Sequence, residues 1–318
     1  MNYYIRSCKF FCTSKHGFAI DKCADSTGVS RDFRWLAIAD GVTKSYIPKG
    51  ISRSLVAEYT TGKYMAGHLF EENNIIPFLG KAVSSWRDIC LQVEDMADER
   101  GKFNLETAKK KYEAGASTFA GIYVGPDFLS YDVLGDSCIF LLPESSDIFP
   151  QLLSSMGFIV DIGKEYPFVG EFSSHPHFID TKGRIVGTPK SGRVAPFIGT
   201  IILMTDALAD WFCRNYRNND ENNIVGLLKG VETHEEFQSL VDRLRSQDLD
   251  NDDVAFIIAE IDLQIFDFEY PYGKPVKGLL SSGDLPILEN ERNDKCYLDC
   301  ALFQFVKVVR EKLFGWMK

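Results

Sequence analysis

Histidine is scarce in this 318-residue chain, at 5, and the 8 cysteines are spread too thinly to staple a fold. None of them heads a C-x5-R phosphate cradle: Cys8 is followed by KFFCTS and Cys90 by LQVEDM. The close C-x-x-C spacing of zinc sites is also missing, so the Cys8/Cys12 and Cys296/Cys300 pairs read as buried thiols rather than metal ligands. No stretch of about 18 uncharged apolar residues occurs, which excludes a membrane-spanning helix. The N-terminal MNYYIRSCKFFCTSKHG has no apolar run fit for an export leader, which predicts reduced thiols and a cytoplasmic protein. Positive charge is in deficit as well. Asp plus Glu number 45 against 35 Lys plus Arg, a formal net charge of -10. A nucleic-acid partner, which needs clustered cations, is not expected.

What is present is a globular composition, 45% hydrophobic and 13% aromatic, with strand signals. Short apolar runs read as buried strands at 35–39 (WLAIA), 118–124 (TFAGIYV), 128–134 (FLSYDVL), 138–142 (CIFLL), 200–205 (TIILMT) and 254–261 (VAFIIAEI). Gly125-Pro126-Asp127 and Gly135-Asp136-Ser137 read as hairpin turns between the second, third and fourth runs. Helical patterns cover 49–70, most of 75–114 with an interruption at Gly101, and 221–246. Hairpins with helices in blocks predict an α+β fold with antiparallel sheets. Residues 143–199, rich in Gly, Pro, Ser and His, read as a flap or insertion. Residues 264–318 read as a Pro/Gly/Ser connector and a C-terminal amphipathic helix. In that helix Leu302, Phe305, Val306, Val309 and Leu313 share a face, and the segment is locally basic. It would dock on the catalytic domain, or serve a partner protein or an anionic membrane surface.

The acidic residues sit at strand ends. Asp40 follows WLAIA, Asp136 follows YDVLG, Asp206 follows TIILMT, and Asp252 precedes VAFII with Asp253 between. In antiparallel strands, exits lie beside entrances, so these carboxylates are candidates to share one sheet edge. Gathered carboxylates repel unless cations neutralise them, and oxygen-only ligands suit Mg²⁺ or Mn²⁺. Ordinary turn roles are the competing explanation. His175 and His177 form an H-x-H pair that reads as a surface or turn feature, with metal binding as the alternative, and Lys109-Lys110-Lys111 reads as a solvated helix face.

The ordered set AIADGV (37–42), GASTF (115–119), VLGDSCIFLL (133–142), LMTDALAD (203–210) and DDVAFIIAEI (252–261) resembles the metal-dependent serine/threonine protein phosphatases of type 2C, in the style of their bacterial members. The resemblance implies a four-layer α-β-β-α sandwich over residues 1–263, two packed antiparallel sheets flanked by helices. It implies two Mn²⁺ or Mg²⁺ ions with a weaker third, a hydroxide held between the two ions as nucleophile, and a phosphoprotein substrate. It makes Asp40 the carboxylate that bridges the two metals, with the Gly41 carbonyl a second ligand. Asp206 and Asp252 would bind one of those metals, and Asp136 and Asp210 would hold the third together with Asp206. Asp25 is the N-terminal acidic residue of the catalytic set, with Asp21 as the alternative. Lys15, His16 and Lys22 are the candidates for a phosphate-binding cation. Three positions depart from the pattern. Ala24 stands for a Glu or Gln, Val42 for a His found in some members, and Ala207 for a Gly. A phosphatase-fold protein that binds with little or no hydrolysis is therefore the rival reading. A metal-dependent nuclease is disfavoured by the acidic charge.

Overall fold

The computed structural model describes residues 2–19, 22–42, 50–61, 75–96, 115–145, 150–156, 176–216 and 221–264, with 99, 102, 106, 147–148, 159–160, 168–169 and 172 besides. Asp21, His175, Lys109 to Lys111, Cys296, Cys300 and residues 265–318, where the amphipathic helix is expected, lie outside the described residues. No described helix is long and apolar enough to cross a membrane.

In chain order the strands are β1 (Asn2–Thr13), β2 (Ser26–Val29), β3 (Trp35–Ala39), β4 (Ala116–Ser117), β5 (Phe119–Val124), β6 (Leu129–Leu134), β7 (Cys138–Pro143), β8 (Gln151–Leu153), β9 (Ile159–Val160), β10 (Phe168–Val169), β11 (Phe178–Asp180), β12 (Ile185–Val186), β13 (Lys190–Val194), β14 (Gly199–Met204) and β15 (Val254–Gln264). The helices are α1 (Gly50–Thr60) and α2 (Ile75–Met96) between β3 and β4, and α3 (Asp206–Asn215), α4 (Glu221–Lys229) and α5 (His234–Arg245) between β14 and β15. Two five-stranded antiparallel sheets form the body, in the orders β1-β15-β14-β7-β8 and β13-β6-β5-β3-β2. Small pairings of β12-β11-β4 and β10-β9 lie beside them.

The period-2 geometry of strands builds the layers. On β14, Ile201 and Leu203 point into the core between the sheets, while Ile202 and Met204 pack under α3, α4 and α5. On β3, Leu36 and Ile38 face the inter-sheet core, and Trp35, Ala37 and Ala39 face α1 and α2. Helix α2 closes that face with Ile75, Phe78, Leu79, Ala82 and Val83, at i, i+3, i+4, i+7 and i+8. The result is helices, sheet, sheet, helices: a four-layer sandwich with central strands buried on both sides.

The Gly125-Pro126-Asp127 hairpin is present, since β5 pairs with β6 from Phe119↔Leu134 to Val124↔Leu129. The second expected hairpin is not. β6 and β7 belong to different sheets, and Gly135-Asp136-Ser137 carries the chain from one to the other. Gly135 has φ +95, and a Cβ there would sit 2.5 Å from the His177 carbonyl oxygen and 2.7 Å from Thr118 Cβ. This is a crossing of close-packed backbone that only glycine fits. The 221–246 helical region is broken at Gly230, and α5 restarts with a capping box in which Thr233 and Glu236 satisfy each other's amides. Within 143–199, β8 and β13 are edge strands of the two main sheets.

Candidate active site

The carboxylates do not share one sheet's edge. Asp40 and Asp136 leave β3 and β6 at the same end of one sheet, while Asp206 leaves β14 and Asp252 enters β15 at one end of the other. The two ends form a common rim, where Asp40 senses Asp25, Asp206 and Asp136 electrostatically.

Asp40 and Gly41 are gripped through their backbone. Thr118 N–H and the Ser117 hydroxyl donate to the Asp40 carbonyl at 2.9 and 2.7 Å, and Gly41 bridges Ser117. Gly41 also presses on the loop that carries Asp25, where an added Cβ would lie 2.6 Å from the Ala24 carbonyl oxygen. Ser52 of α1 donates to that same oxygen at 2.6 Å. From the other side the Asp253 carboxylate accepts the N–H groups of Ala24 at 2.8 Å and Lys15 at 2.9 Å. Asp25 is thereby fixed, fully buried, facing Asp40.

The Asp136 loop is held by serines. Ser154 donates to the Gly135 carbonyl at 2.7 Å, and Gly135 N–H donates to Ser155 at 2.6 Å. Ser155 in turn contacts His177 Nδ1 at 3.1 Å. Thr118 and Ser137 hydroxyls meet at 2.6 Å, joining the backbone grip on Asp40 to the Asp136 loop. Asp206 is the first residue of α3 and accepts from the Ala207 amide at 2.6 Å. Ala207 is an ordinary buried helical position, so the alanine costs no strained backbone there. Asp252 accepts from Asp253 N–H at 2.7 Å and holds Lys15 Nζ at 2.5 Å. Asp210, a turn beyond Asp206, raises the Asp206 pKa, yet its own Oδ2 is taken by Arg214 Nε at 2.8 Å.

Burial pushes these acids up, and their neighbours push further. Asp25 stands well above the carboxylate range through burial and the charges of Asp253 and Asp206. Asp40 does so through burial and Asp25, Asp206 and Asp136. Burial and then Asp206 push Asp136 to about 7, and Asp206 is raised by burial and then Asp252. Burial draws the Lys15 ammonium down, but its hydrogen bond to Asp252 and the charges of Asp253 and Asp40 leave it above its usual value.

Both oxygens of Asp25 and both of Asp136 are buried without a hydrogen-bond partner. The Asp25–Asp40 contact explains part of this, because two carboxylates facing each other lack a donor unless one holds a proton. Orphaned buried carboxylate oxygens are costly and call for a cation. The donor set is all oxygen, the chemistry of Mg²⁺ and Mn²⁺. Among the described residues no three His, Cys, Asp or Glu side chains already converge closely enough to enclose an ion. The residues fit a divalent cation in kind.

Of the three cation candidates, Lys15 lies among the carboxylates. His16 is exposed and 3.9 Å from Asp242, and Lys22 is exposed over the Phe18 ring. Val42 is exposed. His177 serves as a partner to Ser155. The sequence reading missed Asp253, Ser52, Ser117, Ser154 and Ser155 as supports. Two signals pointed to them: Ser117 inside the GASTF motif, and the Asp252-Asp253 doublet, whose second acid could have been given its own task.

The sequence matches no protein-family profile and no curated protein. Among solved structures the chain is similar to a bacterial serine phosphatase, at 17% identity over 83% of this chain and 100% of that one, with a TM-score of 0.48. It is similar to the catalytic domain of the serine/threonine protein phosphatase PstP in complex with two manganese ions, at 17% identity over 80% and 98%, TM-score 0.46. It is also similar to a serine/threonine phosphatase from Staphylococcus aureus, at 16% identity over 81% and 96%, TM-score 0.45.

Proposed function

We propose that this chain is a metal-dependent phosphomonoesterase acting on phosphoserine or phosphothreonine in proteins, of the type 2C class its motifs resemble. The observation that carries the reading is the rim of Asp25, Asp40, Asp136 and Asp206, with four buried carboxylate oxygens left unpartnered on Asp25 and Asp136. Asp40, the Gly41 carbonyl, Asp206 and Asp252 would hold two Mn²⁺ or Mg²⁺ ions, and Asp136 with Asp206 and Asp210 a weaker third. When bound, such ions supply Lewis acidity towards phosphoryl oxygens and lower the pKa of water towards neutrality.

The chain's own groups do the rest. Lys15 places an ammonium beside Asp252, where it can bind a phosphoryl oxygen as a point charge. Asp25, buried against Asp40, would orient a water held beside that residue. Asp253 fixes the backbone of Lys15 and Ala24, so cation and acid keep their spacing. Val42 offers no imidazole to protonate the leaving oxygen. No thiol in a phosphate cradle is present, which agrees with direct attack and no phospho-enzyme.

The engagement of Asp210 by Arg214 favours a second reading, a phosphatase-fold protein that binds phosphopeptides with little turnover. Hydrolysis of a phosphopeptide panel with Mn²⁺, Mg²⁺ or chelator separates the two. Cleavage only with metal supports the enzyme. Retained peptide binding with no turnover at saturating metal supports the second reading.

A further inference from the structure

Arg245 ends α5 with a buried side chain, 7% exposed. Its Nη2 donates to the Ser14 carbonyl at 2.9 Å and to the Asp252 carbonyl at 2.6 Å. Among the described residues the acid within ion-pair range is Asp242, at a loose 3.5 Å from Nη1, and both Nε and Nη1 are buried without a hydrogen bond. A cation at a helix C-terminus ordinarily serves its own helix's last carbonyls. Arg245 instead spends its donors on two other segments.

Those segments are the ones that matter at the rim. The β1–β15 ladder ends at Thr13↔Val254. Immediately beyond it, one strand leads through Ser14 into Lys15 and the other begins at Asp252 and Asp253. With no further ladder rungs, the separation of Lys15 from Asp252 depends on whatever spans the two chains. Arg245 spans them through their carbonyls, Asp253 through the Lys15 amide, and Asn251 through the His16 amide at 2.7 Å; of the three, Arg245 alone reaches in from a separate element, α5.

We propose that Arg245 is a positioning residue that clamps Ser14 and Asp252, and so sets the alignment of the Lys15 ammonium with the ion-holding Asp252 carboxylate. This rests on the phosphatase reading above. It requires that loss of the clamp weaken ion binding and substrate phosphate binding beyond any loss of stability.

The test uses the full chain. Mn²⁺ binding is measured by calorimetry, and kcat and KM with a phosphothreonine peptide, for the wild type, Arg245→Met, Arg245→Lys and the control Phe237→Leu. Phe237 is a fully buried core residue of the same helix, outside the rim. Arg245→Met is expected to weaken Mn²⁺ binding at least about tenfold, the scale seen when a support behind a metal ligand is removed. It should raise KM more than it lowers kcat. Phe237→Leu should lower the melting temperature and leave the Mn²⁺ affinity unchanged. Wild-type Mn²⁺ affinity and KM in Arg245→Met would overturn the proposal, as would an equal loss in Phe237→Leu. If Arg245→Met does not fold, Arg245→Lys decides: its ammonium falls one bond short of the place where Nη2 holds both carbonyls, and unchanged binding there also overturns the proposal. A wild type that binds no Mn²⁺ refutes the phosphatase reading itself, a result distinct from a wild type that binds while every Arg245 variant matches it.

Discussion

The Asp253 carboxylate accepts the Ala24 amide at 2.8 Å across 229 positions of sequence. Its other oxygen accepts the Lys15 amide at 2.9 Å. Asp253→Asn would turn one of these oxygens into an NH₂ facing a backbone donor, leaving a buried amide unsatisfied. We expect a loss of about 2–3 kcal/mol in urea unfolding, on the scale of hydrogen bonds to charged groups. A variant that unfolds at the wild-type urea midpoint would show the contact to be incidental.

Asp40→Asn should lower metal-dependent turnover at least about a hundredfold, since it removes charge at the centre of the rim. Asp136→Asn addresses the same cluster from the side of stability. It replaces a buried, unpartnered carboxylate near Asp206 with a neutral isostere. In chelator at pH 8 it should be more stable than the wild type by about 1 kcal/mol, the usual relation between a functional cluster and stability. Added Mn²⁺ should stabilise it less than it stabilises the wild type. A metal-free Asp136→Asn less stable than the wild type would mean that Asp136 is a structural acid.

Much of the sandwich was legible because its inner strands are buried on both faces. WLAIA, TIILMT and VAFIIAEI read as continuous apolar runs since odd and even residues each meet a core. Strand β1 was not legible. It is an edge strand whose Asn2, Tyr4 and Arg6 face outward and whose register shifts between Ile5 and Ser7, so no clean run or alternation appears. Helix α3 was read only as an acidic motif, because ten residues beginning Asp-Ala-Leu-Ala-Asp drew attention to their carboxylates. The candidate acids Asp40, Asp136, Asp206 and Asp252 stood out at strand ends, while Asp25 and Asp210 rested on the resemblance alone. Their supports Ser52, Ser154, Ser155 and Arg245 did not, because a serine or arginine bonded to a distant carbonyl leaves no periodic trace. Gly135-Asp136-Ser137 looked like a hairpin, and only the sheet assignment reveals a crossover.

Two glycines give opposite expectations for one substitution. Gly135→Ala meets positive φ and a carbonyl oxygen 2.5 Å from the new Cβ, at the residue before Asp136. It should cost at least about 2 kcal/mol, the combined scale of a left-handed non-glycine and a forced backbone shift. Gly80 lies inside α2 with nothing within 4 Å of an added Cβ. Gly80→Ala should stabilise by about 0.5–1 kcal/mol through helix propensity. Thermal melts of the two variants side by side check both signs. Similar shifts in one direction would contradict the assigned backbone geometry.

Asp132 lies on β6 opposite Gly121, and the bare glycine lets the Tyr59 ring lie over the sheet. The Tyr59 hydroxyl donates to Asp132 at 3.2 Å and Ser191 donates at 2.5 Å. Burial pushes the Asp132 pKa up to about 6, and the two hydroxyls pull it partly back. A folded pKa above the unfolded one means that the native state holds the proton more tightly. The stabilising contribution is therefore complete below about pH 3.9 and is lost as pH rises through 6. The stability of the wild type relative to Asp132→Asn should fall by roughly 2–3 kcal/mol between pH 4 and pH 7, because each tenfold difference in proton affinity between folded and unfolded chains is worth about 1.4 kcal/mol. Urea melts of both proteins at half-unit pH steps give that difference curve. A flat curve would show that Asp132 titrates normally, and a rising one would show that the hydroxyls of Tyr59 and Ser191 outweigh its burial.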